Sequence, residues 1–188
     1  MDKIEELLNA KKNDRATPLQ LRALTDKSYK NKTTHSQNND EINFELATYG
    51  DAILKCVLCK IYFEREDEDN FGFKGKLTEW KKQYESDEVL VRVVAKHYNL
   101  LNFLEFDRDD KKKPHDYKYS DENEGSGEEK AKDEDHISAG TKRRYKYIAT
   151  AMEACIAAVY IENGENEVIE IVKQWIEWID KETNSSDT

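Results

Sequence analysis

The 188-residue chain lacks any run of about 18 apolar residues, which excludes an ordinary membrane-spanning helix. Its opening, MDKIEELLNAKKNDR, mixes acids and bases from residue 2 and has no apolar stretch, so no secretory signal is expected. Cysteine is scarce. Three in the whole chain do not make a disulfide framework, and reduced thiols in an intracellular, cytoplasmic or organellar, setting fit better. An excess of positive charge is also missing: 30 basic residues face 40 acidic ones, a formal net charge of −10 and a pI near 5.0. That balance argues against a simple basic nucleic-acid binder, although net charge hides distribution. What the chain does have is charge of both signs. Charged residues make up 37%, equal to the apolar share, and mean hydropathy is −0.96. The length suffices for one domain with a real core, or two small ones.

The charge is unevenly placed. Asp107 to His136 holds 12 acids and 7 bases, a net of −5, which is half of the chain's total. Only Tyr117, Tyr119 and Ala131 are apolar there, and Gly125-Ser126-Gly127 sits at its centre. The stretch at about 107–141 is expected to be a solvated low-complexity insertion. Lys30 to Asp40 reads as an exposed loop.

The remaining segments carry helical periodicity. Ile4, Leu7 and Leu8 begin a short helix, and Thr17-Pro18 opens another that leads into LQLRALTDKSY. Phe44–Phe63 is a long helical pattern with Leu46, Ile53, Leu54, Val57, Leu58 and Ile61 on one broad face. Leu77–Tyr84, Glu88–Tyr98, the nearly all-apolar Tyr145–Ile161 and Val168–Ile179 follow, with Asn163-Gly164 as a C-cap signal. No segment alternates with period two between turn signals. An all-α domain over residues 1–182 is expected, with a disordered tail at 183–188.

Two carboxylates stand in unusual places. Asp51 is the only charged residue between Leu46 and Leu54, and Glu153 the only one between Tyr147 and Ile161. A lone carboxylate in an apolar helical face loses hydration on folding, at a cost of several kcal/mol unless it is paired or metal-bound. A buried partner, or a place at the rim of the face, would be a purely structural answer. Alternatively, Ala149, Ala151, Ala154, Ala157 and Ala158 would let the second helix pack closely on the first. Asp51 and Glu153 would then converge on an oxygen-ligand site suited to Mg²⁺ or Mn²⁺.

Four motifs resemble the ribonuclease III family. Leu24-Thr25-Asp26-Lys27-Ser28-Tyr29 is similar to its LTHKSY segment, and Leu46–Leu54 (LATYGDAIL) resembles its signature helix LEFLGDAVL. Gly75-Lys76-Leu77-Thr78 matches EGxLT, and Ile148–Ala154 with Ala157–Ile161 resembles ILADAFEALIGAIYLD. In order and spacing they cover roughly residues 3 to 180; after residue 164 only a helix and a short tail follow, with no double-stranded-RNA-binding domain. The resemblance implies an all-helical, dimeric endonuclease-domain fold, as a homodimer or as a heterodimer with another subunit of this type. It further implies double-stranded or structured RNA as partner, and a four-carboxylate site that uses divalent metal to activate water.

Only half of that constellation is present. The first-helix pair would be Glu and Asp and is Ala47 and Asp51; the second would be Asp and Glu and is Thr150 and Glu153. Lys74 replaces an accessory acid in EGxLT. Glu45 does not restore the first pair, because it lies six residues from Asp51, about 600° around the helix. The expectation is therefore a catalytically degenerate domain with Asp51 and Glu153 as residual metal ligands. The alternatives are a working Mg²⁺- or Mn²⁺-dependent endoribonuclease and a protein-binding scaffold. Lys142, Arg143, Arg144 and Lys146, with Lys27, are the candidate phosphate contacts. Cys56 and Cys59 form a C-x-x-C inside an apolar helix and are expected to be core thiols, since zinc needs four ligands. Trp175 and Trp178 read as core or interface anchors, and His97 as a packing or surface residue.

Overall fold

The computed structural model describes Leu7 and residues 16–26, 43–65, 75–104 and 139–185, with backbone alone for 139–145. The low-complexity stretch up to residue 138, the loop at 30–40, Lys27 and Lys74 lie outside the described residues.

Helix α1 (Pro18–Ala23) starts where the sequence places it. The Thr17 hydroxyl accepts from the Gln20 backbone, and the Gln20 side chain accepts from the Thr17 N–H, a reciprocal capping box with proline in the first turn. The helix is shorter than its apolar pattern suggests and ends by Leu24. Beyond it, the Asn43 N–H donates to the Thr25 carbonyl at 3.0 Å and the Asn43 side chain to the Ala23 carbonyl at 3.3 Å. The exit of α1 is thereby tied to the entry of α2 (Phe44–Arg65).

Helix α3 (Lys76–Glu85) is followed through Ser86 by α4 (Asp87–Val89), a π-helical turn (Leu90–Ala95), α5 (Lys96–Tyr98) and a 3₁₀ turn (Leu100–Asn102). The pattern from Glu88 to Tyr98 reads as one helix, and the change of winding in its middle was not legible. Leu90, Val91, Val94 and Ala95 of that turn are buried. Helix α6 (Ala139–Asn163) and α7 (Glu165–Ser185) complete the described fold. Gly164 separates them with φ +88°, a left-handed C-cap that glycine adopts without strain. Helix α7 continues to Ser185, past residue 183 where a tail is expected. No strand is present among the described residues.

Helix α6 is the hub. Ala149, Ala151, Met152, Ala154, Cys155, Ile156, Ala157, Ala158 and Val159 are fully buried. A helix apolar all round belongs inside a bundle, and α2, α7, α1 and the π-turn surround this one. Burial pushes the Cys155 thiol up to about 12, so it is inert. On α7, Trp175 is buried and donates to the Tyr98 hydroxyl at 3.0 Å, while Trp178 stacks on His97 with ring centroids 3.6 Å apart. Both tryptophans anchor the core. The C-x-x-C pair does not. Cys56 is exposed and Cys59 half-buried. They lie one step, about 100°, outside Val57 and Leu58 at the centre of the buried face.

The tightest point of the fold is between α2 and α6. A Cβ built at Gly50 would lie 1.8 Å from the Glu153 carbonyl oxygen and 3.2 Å from the Ala157 nitrogen. Both neighbours are backbone atoms of a helix and cannot yield locally. Gly50→Ala should therefore cost about 2–4 kcal/mol or abolish folding, read as a thermal or urea midpoint against the wild type.

Candidate functional site

The close approach at Gly50 fixes what stands one residue further on. Asp51 on α2 and Glu153 on α6 line the same cleft, with a volume of about 660 Å³. Ala47 and Thr150 line it too, so all four positions that the resemblance singled out come together. The spacing explains this: i and i+4 on one helix, and i and i+3 on the other, each fall on one face. Glu45 is excluded, as expected; its side chain is 80% exposed and pairs with Arg22 at 2.9 Å.

The cleft holds further charged groups that the sequence did not single out. Lys55 joins from α2, Lys82 and Glu85 from α3, and Asp87 from the start of α4. Four carboxylates thus face three ammonium groups, counting Lys146 from α6. Lys55 was legible in principle, since it lies one turn after Asp51. Asp87 was not, because its place depends on the interruption of the helix at Ser86. The Ser86 hydroxyl accepts from the Val89 N–H at 3.3 Å and starts the helix there, which turns Asp87 toward α6.

Asp51 sits at the rim of the apolar face, with its side chain 36% exposed. The Lys55 ammonium donates to its Oδ2 at 2.6 Å. That hydrogen bond is the main reason the Lys55 pKa lies above 10.5, and the charges of Asp51, Glu85 and Glu153 add to it against some desolvation. Lys146, more exposed, pairs with Asp87 at 3.6 Å. Lys142, Arg143 and Arg144 lie just upstream on the same helix.

Glu153 has no hydrogen-bond partner among the described residues. Desolvation pushes its carboxyl up to about 7, and the charges of Asp51 and Asp87 push the same way, while Lys146 and Lys55 pull back. Among the described residues no group of three or more His, Cys, Asp or Glu side chains is placed to hold a metal ion. No described helix is long and apolar enough to cross a membrane.

Solved structures share this architecture. The nuclease domain of ribonuclease III from Campylobacter jejuni matches in two crystal structures, with TM-scores of 0.63 and 0.62 over 94% of this chain. They cover 95% and 93% of those chains at 20% and 21% identity, and one concerns flexibility in a region involved in dimer formation. The class is thus an all-helical nuclease-domain fold. The family model of the ribonuclease III domain matches residues 45–164, and the chain belongs to that family. Ribonuclease 3 of Azotobacter vinelandii is 30% identical over 158 residues, which are 84% of this chain and 52% of that protein. Ribonuclease 3 of Roseiflexus sp. is 27% identical over 146 residues, 78% of this chain and 49% of that protein. The chain spans about half the length of the curated relatives it matches.

The raised carboxyl has a consequence for stability. Folded Glu153 keeps its proton up to about pH 7, whereas an unfolded glutamate loses it near 4.5. Between those values the folded state binds more protons, so this group's contribution to stability falls as pH rises. Glu153→Gln removes the penalty. Melts should show little difference from wild type at pH 4.5 and a more stable variant at pH 8, by roughly 1–2 kcal/mol once the half-exposure of the side chain is allowed for.

Proposed function

We propose that this chain is a ribonuclease III-type domain that binds double-stranded or structured RNA and cleaves it poorly or not at all. The observation that carries the reading is the content of the cleft. Two of its four family positions are Ala47 and Thr150, and the third, Asp51, is engaged by Lys55 at 2.6 Å. The family's divalent metal would supply a nucleophilic hydroxide and a counter-charge for the phosphodiester. The residues here do not fit a Mg²⁺ or Mn²⁺ ion well. One carboxylate is ion-paired, one sits in a pocket that favours its proton, and alanine offers no ligand. Asp51 and Glu153 are accordingly residual site positions, with no metal-dependent step derived for them.

RNA contact is supported by the basic rim. Lys82 and Lys146 are exposed along the cleft, and Lys142, Arg143 and Arg144 precede Lys146 in the sequence of α6. Dimerisation, with a second copy or another subunit of this type, is supported by large apolar side chains on the surface. Phe44 and Phe63 on α2 are 61% and 52% exposed, and Ile161 on α6 is 53% exposed. We further propose that residues 1–182 form one domain with the low-complexity stretch as an insertion.

A second reading, an active endoribonuclease, is favoured by Asp87, which brings a carboxylate to the cleft beside Thr150 and Glu153. One assay separates the two. Purified protein is incubated with duplex RNA in Mg²⁺ and then Mn²⁺, beside Asp51→Asn and Glu153→Gln. The expected result is binding without cleavage. Cleavage that disappears in both variants would overturn the degenerate reading. Lys146→Ala should weaken RNA binding by a similar factor for all sequences and lower the salt dependence by about one unit of slope.

A further inference from the structure

We propose that Lys55 is a built-in counter-ion that takes the place of a divalent cation in this cleft. Restoring acids at positions 47 and 150 is then not enough to load the site with metal. This deepens the reading of the cleft as a degenerate family site and rests on it.

The geometry is specific to this lysine. Lys55 lies one helical turn beyond Asp51, so both side chains leave the same face of α2. Its ammonium is 2.6 Å from the Asp51 carboxylate and is also stabilised by Glu85 and Glu153. Those three acids come from α2, α3 and α6, which line the cleft together with the start of α4. Hydrogen-bonded to Asp51 in a cleft that Glu85 and Glu153 also line, this one positive charge does part of the electrostatic work that a bound cation would do, while Lys81 pairs with Glu85 at 3.6 Å. The Lys55 charge lowers the mutual repulsion of the acids and lets the helices pack without an ion. The same charge opposes the approach of a divalent cation, and with Oδ2 held by the ammonium Asp51 has only Oδ1 left to offer a metal.

Lys146 is the weaker counterpart. Its distance to Asp87 is longer, at 3.6 Å, and its side chain is 64% exposed, so it can turn aside into solvent at little cost. Lys60 provides the control. It is on the same helix, but pairs with Glu165 at 3.4 Å and does not line the cleft.

The test compares Mn²⁺ binding by calorimetry and by the rise in melting temperature, in protein first stripped with chelator. Ala47→Glu with Thr150→Asp should bind Mn²⁺ weakly, and adding Lys55→Met should tighten binding at least about tenfold, equivalent to 1.4 kcal/mol. Adding Lys60→Met instead should change nothing. Ala47 is buried, so the double substitution carries a folding risk. The single Lys55→Met variant is therefore measured beside it, and Mn²⁺ should raise its melting temperature more than that of wild type. Equal Mn²⁺ affinity with and without Lys55, or an equal gain from Lys60→Met, would overturn the proposal. Cleavage of RNA by the wild type would overturn the degenerate reading instead, whatever the Mn²⁺ affinities show.

Discussion

The carbonyl of Glu153 occupies the space that a side chain at position 50 would need, and the rest of the molecule is arranged around that contact. With glycine there, α2 and α6 meet backbone to backbone. The alanines of α6 keep the approach close along its length, and α7, α1 and the π-helical turn cover the remaining faces. An approach this close also explains why Glu153 is half-buried although no hydrogen bond from the described residues holds its carboxylate. The helix is placed by its small residues, and the carboxylate is carried in with them. Desolvation, not a partner, is then the largest influence on its proton.

The cleft that results is an electrostatic problem with two solutions. Carboxylates gathered from several helices repel one another and lose hydration, so the fold needs either a cation or fewer charges. This chain has both kinds of relief within its own sequence. Alanine and threonine remove two acids, protonation relieves Glu153 near neutral pH, and Lys55 and Lys146 neutralise Asp51 and Asp87. These features point the same way. A site whose charge is balanced internally has little need of an external ion, which is the physical content of the degenerate reading.

Much of this was legible from residue order, and the limits have physical causes. The long helices, the proline-led cap at Thr17 and the glycine stop at Gly164 depend on local spacing and local backbone chemistry, and they stand where the pattern puts them. The meeting of positions 47, 51, 150 and 153 was legible through the family motifs, because helical spacing aligns each pair on one face. Asp87 and Glu85 were not, since they approach the cleft from other helices and nothing in their neighbours encodes that distance. The exposure of Cys56 was missed for a smaller reason. Even a largely apolar helix has a flank, and a step of 100° separates Val57 in the core from Cys56 in solvent. The π-helical winding of Leu90–Ala95 has no sequence signal that we identify.

Net charge is a poor guide to what this surface can meet. Of the formal −10, half belongs to one low-complexity stretch, and four of the remaining acids line one cleft. Those four face three lysines, and burial pushes the carboxyl of one of the four up to about 7. The lysines offset much of the acidic charge in the cleft, and Lys82 and Lys146 are exposed at its edge. A phosphate backbone brought to such a surface meets less repulsion than at four bare carboxylates, where a metal ion would be needed simply to let it approach. On the proposed reading, a cleft ill-suited to a divalent ion is thus still compatible with RNA contact.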